Sequence, residues 1–264
     1  MTALFDVAAR LAEGRAALED AHTYVSAVRQ RGHSNPELTD LASWYGTEHG
    51  LDLQRLHADR AAVETAARAA TEAVDLARGQ LAALVRAWTG PGAAASVEFI
   101  RRHCDSSAAL ADALTVAAQT CAALREELWR AVDAKVAATT AIVERVGTRR
   151  QSWLAAAQAV LTGAPDEAAV DIVDAQVAPF VATAIGNDWL RDMRTTTEAA
   201  RDAYRRAIDA LGQWQGVQFE VPGDLGPRPV RVAPQTTVAA AAEVVPQEVF
   251  QGPARSLSRP LCRP

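Results

Sequence analysis

The sequence predicts an all-α protein: an elongated helical bundle with a long antiparallel helix hairpin, further C-terminal helices and a mostly disordered proline-rich tail. Three observations carry that expectation. Alanine fills 59 of the 264 positions while aromatics make up only 5%. Alanine is the strongest helix former, and its short side chain lets helix axes approach closely. Apolar residues recur at alternating steps of three and four, the period of a packed helix seam rather than of a strand. Prolines are uneven: Pro36, Pro91, Pro165 and Pro179 stand alone in residues 1–212, and the other eight follow from Pro222 onward. A sandwich or barrel needs many β-branched strands with regular turns, and isoleucine occurs only five times.

The elements follow in order. A first helix is expected from about Ala3 to Arg29, with Leu4, Leu11, Leu18 and Val25 at sevenfold spacing. Gly32-His33-Ser34-Asn35-Pro36 breaks it, and a short helix over 36–45 follows with Asn35 as N-cap. The second long helix, from about Leu51 to Ala87, has the clearest seam. Positions 53, 56, 60, 63, 67, 70, 74, 77, 81, 84 and 88 are all apolar except Arg60. About five heptads of that pattern predict knobs-into-holes packing. Trp88-Thr89-Gly90-Pro91-Gly92 makes the turn into a third helix, from about Ala93 to Val146. Its seam includes Leu110, Leu114, Ala117, Cys121, Leu124, Leu128, Val132 and Val136. At about 54 residues it would span about 80 Å, so a rod is expected, with the first helix packed alongside.

Gly147 ends or interrupts that helix before a stretch over 148–161, and Gly163-Ala164-Pro165 is a firm break. Asp166 and Glu167 suit the next first turn. Pro179 is expected to kink or end that helix, with Asn187 or Asp188 capping a last one to Leu211. Residues 217–221 alternate as one short strand would, and residues 213–264 otherwise read as a disordered tail. The units are therefore 1–147, containing the hairpin at 51–147, then 148–212, then 213–264.

A net charge of −5 argues against nucleic acid or an anionic membrane as partner. No run of 18 uncharged apolar residues occurs, so membrane crossing is not expected. The opening Met1-Thr2-Ala3-Leu4-Phe5-Asp6 lacks a basic n-region. Lys135 is the only lysine among 27 basic residues; the other 26 are arginine, a bias that bears on source rather than role. Cys104, Cys121 and Cys262 form no C-x-x-C, and on one helix Cys104 and Cys121 sit too far apart to bridge. His22, His33, His49, His57 and His103 form no metal motif, although His49 and His57 flank one helix start. Phosphate-binding, nucleophile-elbow and dinucleotide motifs are absent. Arg101-Arg102, Arg149-Arg150 and Arg205-Arg206 are interspersed with acids and read as solvated faces. No enzyme, metal or cofactor is expected.

Trp88-x-Gly90 between two long amphipathic helices, followed by Pro91-Gly92-Ala93-Ala94-Ala95 and Phe99, resembles the WXG-motif superfamily. Its members are substrates of type VII (ESX) secretion in mycobacteria and related bacteria. The resemblance covers residues 51–147 and not 148–264. Members often carry a Tyr-x-x-x-Asp/Glu export signal about 40 residues after the motif. Here Trp129-Arg130-Ala131-Val132-Asp133 stands at that distance with Trp in place of Tyr. Residues i and i+4 share a helix face, so Trp129 and Asp133 present an aromatic and an acid together. Trp88 and Gly90 also read as a bundle plug and a chain turn. Trp129 also reads as half-buried core, and Asp133 as a solvated acid.

The resemblance implies a non-enzymatic protein exported to the medium or cell surface without a signal peptide. Its expected partners are the secretion machinery or a helical protein, and self-association is a further outcome. A cytoplasmic self-associating coiled-coil scaffold is the alternative, and an all-α enzyme with an unrecognised site the second.

Overall fold

The computed structural model describes residues 5–33, 35–214 and 216–221. Every regular element among them is helical, and the helices are long.

Helix α1 (Val7–Glu13) starts where the Asp6 carboxylate accepts the Ala9 N–H at 2.9 Å. It stops at Gly14, and α2 (Arg15–Gln30) leaves at a new angle. The single first helix expected from the heptad is therefore two, because Tyr45 intrudes. Its buried hydroxyl donates to the Leu11 carbonyl at 2.8 Å. A Cβ at residue 14 would lie 2.2 Å from that hydroxyl, so only glycine fits. The short helix expected over 36–45 is likewise split. A 3₁₀ turn, Pro36–Leu38, is capped by Asn35, and α3 (Leu41–Tyr45) is capped by Asp40.

Asp52 caps α4 (Leu53–Ala87), and Trp88 leaves it in extended conformation. Gly90, at φ +111°, admits the chain to α5 (Pro91–Val146), with Pro91 in the first turn. At 1.5 Å per residue the 56 residues of α5 span about 84 Å. The two helices run alongside in opposite senses: His57 meets Arg125, and Arg60–Thr71 line one groove with Thr115–Ala122. The seam on α4 lies as expected. Leu53, Ala67 and Val74 are buried, and the positions between them are half-buried. Arg60, the polar exception, is half-buried and paired with Glu64 at 3.0 Å. Trp88, the last seam position, is 47% exposed.

Gly147 interrupts the helix rather than ending it. With φ +58° it opens a 3₁₀ turn that leads into α6 (Arg150–Leu161). Asp166 then caps α7 (Glu167–Ile172), accepting the Ala169 N–H at 2.8 Å. The break expected at Pro179 does not occur. α7, α8 (Ala178–Phe180) and α9 (Leu190–Gly212) join into one helix, Glu167–Gly212, through π segments at Val173–Val177 and Val181–Trp189. Pro179 cannot donate to the ladder, and the wider π winding on both sides carries the chain past it. Asn187 and Asp188 therefore lie inside the helix and cap nothing.

α9 returns along α5. Trp189 Nε1 donates to Thr139 Oγ1 at 2.9 Å, and Arg206 reaches Glu127 at 2.7 Å. The strand expected at 217–221 is not formed: a strand needs a ladder partner, and the contacts these residues make among the described residues are with side chains of α5. Residues 216–221 are neither helix nor strand, and they lie against α5. Ser106 Oγ donates to the Gln218 carbonyl at 3.1 Å, Arg102 pairs with Glu220 at 3.1 Å, and Phe219 sits 5.2 Å from the His103 ring. Residues 216–221 of the expected tail thus have a defined place against α5, and residues 222–264, Cys262 included, lie outside the described residues.

Large buried side chains gather where α2, α3, α6 and the Glu167–Gly212 helix surround the C-terminal part of α5. Tyr24, Trp153 and Phe180 pack edge-to-face at 5.3–6.4 Å, and Trp153 Nε1 donates to Gln176 at 3.0 Å. Lys135 is fully buried there. Its ammonium donates to Glu48, to Thr47 Oγ1 and, at 3.2 Å, to the Trp44 carbonyl. Burial pulls its pKa below the ordinary lysine value, against the pull of Glu48. From Leu56 to Leu124 the buried residues are small: Ala67, Val74, Ala93, Cys104, Ala111 and Ala118.

The Pro91–Leu161 and Glu167–Gly212 helices are each long and apolar enough to cross a membrane by length and composition alone. In α5 the apolar stretch is 107–124, whose one charged residue is Asp112, so a counting rule based on wholly uncharged runs passes over it.

Candidate functional site

The two pairs singled out in the sequence occupy different parts of the molecule. Trp88 and Gly90 form the connection between α4 and α5. The Trp88 N–H donates to the Leu84 carbonyl at 3.0 Å, closing α4. Its ring folds back over the first turn of α5, where a Cβ on Gly92 would be 3.6 Å away. That distance is ordinary van der Waals contact, so the indole touches this turn without requiring glycine there, and Trp88 is about half exposed. Leu76 and Val85 on α4 are also exposed near this end.

Trp129 and Asp133 lie on α5, about 57 Å of helix axis beyond Pro91. The structure does not bring them to the turn. They do share a helix face, as i and i+4 require, and the segment of α1 lies against it: Trp129 is half-buried, while the Asp133 side chain stays 52% exposed. Phe5 meets Trp129 edge-on at 5.7 Å. Arg10 binds Asp133 through Nε at 2.9 Å and Nη2 at 2.7 Å, and also reaches Glu13. Beside them, Arg125 stacks over Phe5 at 4.4 Å and bonds His57 Nδ1 at 2.5 Å, while its own Nε is buried without a partner. Sequence reading missed Phe5, Arg10 and Arg125, and took His57 only with His49 at a helix start, because the four come from three separate elements. Lys135 stood out in the sequence as a matter of composition alone.

The remaining sequence candidates have ordinary settings. Among the described residues no group of three or more His, Cys, Asp or Glu is placed to hold a metal ion. Cys104 is buried, and burial raises the thiol pKa of half-buried Cys121, with Asp59 adding to the effect. Arg101 and Arg102 both grip Glu98, whose carboxyl is held down to about 2, chiefly by Arg101. Arg150 pairs with Asp20 at 2.5 Å, and Arg205 with Asp202 at 2.8 Å.

An apolar groove of about 410 Å³ runs between α5 and the end of α9, lined by Leu110, Leu114, Val116, Ala117, Leu211 and Trp214. Val116, Leu211 and Trp214 are exposed in it. No family model, curated protein or solved structure matches the chain.

Proposed function

We propose that this is a non-enzymatic helical protein exported by, or associated with, a type VII (ESX) secretion system, and that it acts by helix-mediated association with other proteins. The observation that carries the reading is Trp88-Thr89-Gly90 at the connection between the long helices α4 and α5, with the indole exposed and small residues opening α5. In this reading α4 and α5 form a WXG-like hairpin, and Trp129 with Asp133 is the docking element. The test compares extracellular abundance in hosts with and without the type VII machinery. Abundance should collapse without it, and equal abundance ends the reading. Trp129→Ala or Asp133→Ala should lower export at unchanged intracellular level; unchanged export removes both residues from the mechanism.

The apolar groove between α5 and α9 favours a second reading, a cytoplasmic scaffold that associates with its own copies. Light scattering and cell fractionation separate the two. A self-associated species confined to the cytoplasm supports the scaffold, and a monomer found in the medium supports export.

A further inference from the structure

The face bearing Trp129 and Asp133 already holds an occupant, the protein's own first helix. That occupant brings an aromatic ring, Phe5, and five residues later a guanidinium, Arg10. The match is chemical as well as steric: ring against ring, cation against acid.

Of this segment Phe5, Val7 and Leu11 are buried, and the other α1 residues are half-buried or exposed. Its far flank opens onto a groove of about 480 Å³ shared with His49–Gln54, so one side is unpacked. Phe5 is seated at φ +65°, and it is the one non-glycine residue with positive φ among those described. A non-glycine residue takes that conformation only at a cost.

A hinge is also present. Gly14 departs only modestly from helical geometry, with φ −85° and ψ −5°. The heptad spacing of Leu11, Leu18 and Val25 continues through it without a phase break. The Leu11 carbonyl already accepts the Gly14 N–H at 3.3 Å, so it keeps a chain-local donor when the Tyr45 hydroxyl leaves it. Rotation about Gly14 would carry Phe5 and Arg10 off α5.

We infer that the Trp129–Asp133 face is a docking seat for a partner protein segment that presents an aromatic ring just ahead of a helix and an arginine five residues later within it, and that Phe5 and α1 fill the seat in cis until such a segment displaces them about Gly14. The inference rests on the proposed docking role of Trp129 and Asp133, but its test involves no export.

The probe is a fluorescently labelled, end-capped peptide of residues 5–14. The receptors are full-length wild type and the full-length double variant Phe5→Ala/Arg10→Ala, whose own helix cannot compete. The peptide should bind the double variant at least about tenfold tighter than wild type, because a competing cis state lowers apparent affinity. Asp133→Arg added to that receptor should abolish binding, and a peptide carrying Arg10→Glu should restore it. Equal affinity for both receptors, no binding to the double variant, or no rescue by charge exchange overturns the inference. In the unaltered protein, α1 amides should exchange with solvent at least about 100-fold faster than those of α2. Matching protection overturns it as well. Peptide binding that fails while export still depends on Trp129 sinks this inference alone; export that ignores Trp129 while the peptide binds sinks the secretion reading alone.

Discussion

Lys135 shows how much one side chain can fix. Its ammonium gathers Glu48, Thr47 and the Trp44 carbonyl, and so ties the end of α3 and the chain after it to the C-terminal part of α5. Replacing it with alanine leaves Glu48 buried without a counter-charge. Lys135→Ala should therefore lose about 3–5 kcal/mol in urea unfolding. Two tyrosines make an opposed pair. Tyr45 donates to Leu11, so Tyr45→Phe should cost about 1 kcal/mol. The Tyr24 hydroxyl is buried without a hydrogen-bond partner, so Tyr24→Phe should be neutral or stabilising. Burial, with Asp20 adding to it, also lifts the Tyr24 phenol to about 12 from its ordinary 10.0. The folded chain thus holds a proton between those values that the unfolded chain has shed, and rising pH favours unfolding there. Wild type should lose stability relative to Tyr24→Phe as pH climbs from 10 to 12, and a parallel pair of curves would contradict this. None of these settings was legible in the sequence. Burial of Lys135 depends on elements 87 residues apart, beyond the reach of any local pattern.

At the scale of elements, periodicity was a reliable guide on α4, whose partner is a long helix packed alongside it. The α4 seam was readable because three- and four-residue spacing reports which stripe meets α5. Val74→Ala should therefore cost about 1 kcal/mol or more, since Val74 is 3% exposed, whereas Leu76→Ala at 64% should stay within about 0.5 kcal/mol. Thermal melts of the two variants check the contrast, and equal losses would mean the stripe is misplaced. Periodicity failed where a side chain from elsewhere decided the outcome. The heptad across Gly14 is unbroken, yet the helix bends because Tyr45 enters at that point. Proline misled in the other direction: Pro179 lies within a continuous helix because π winding relieves the missing donor. The alternation at 217–221 was real, but α5 offers side chains rather than a strand edge.

Across the whole molecule, packing is graded. The large fully buried side chains, Trp153, Trp189, Leu128, Ile185 and Met193 among them, sit where many helices converge, and the other part of the α4–α5 pair is held by alanines. Small residues bury little area each, at about 25 cal/mol per Å². Hydrogen exchange should follow that gradient: α5 amides after Leu128 should exchange near the global unfolding limit, and those before Cys104 far sooner. Uniform protection along α5 would refute the gradient. The alanine content was visible from the start as slender helices, but its placement was not, since composition carries no address.

The solitary lysine has a practical consequence. Its amine is sealed inside the fold, so amine-directed acylating reagents find no lysine on the native surface. The 26 arginines do not react in its place. A stable amide at residue 135, read by peptide mass, then becomes a clock for opening of the core.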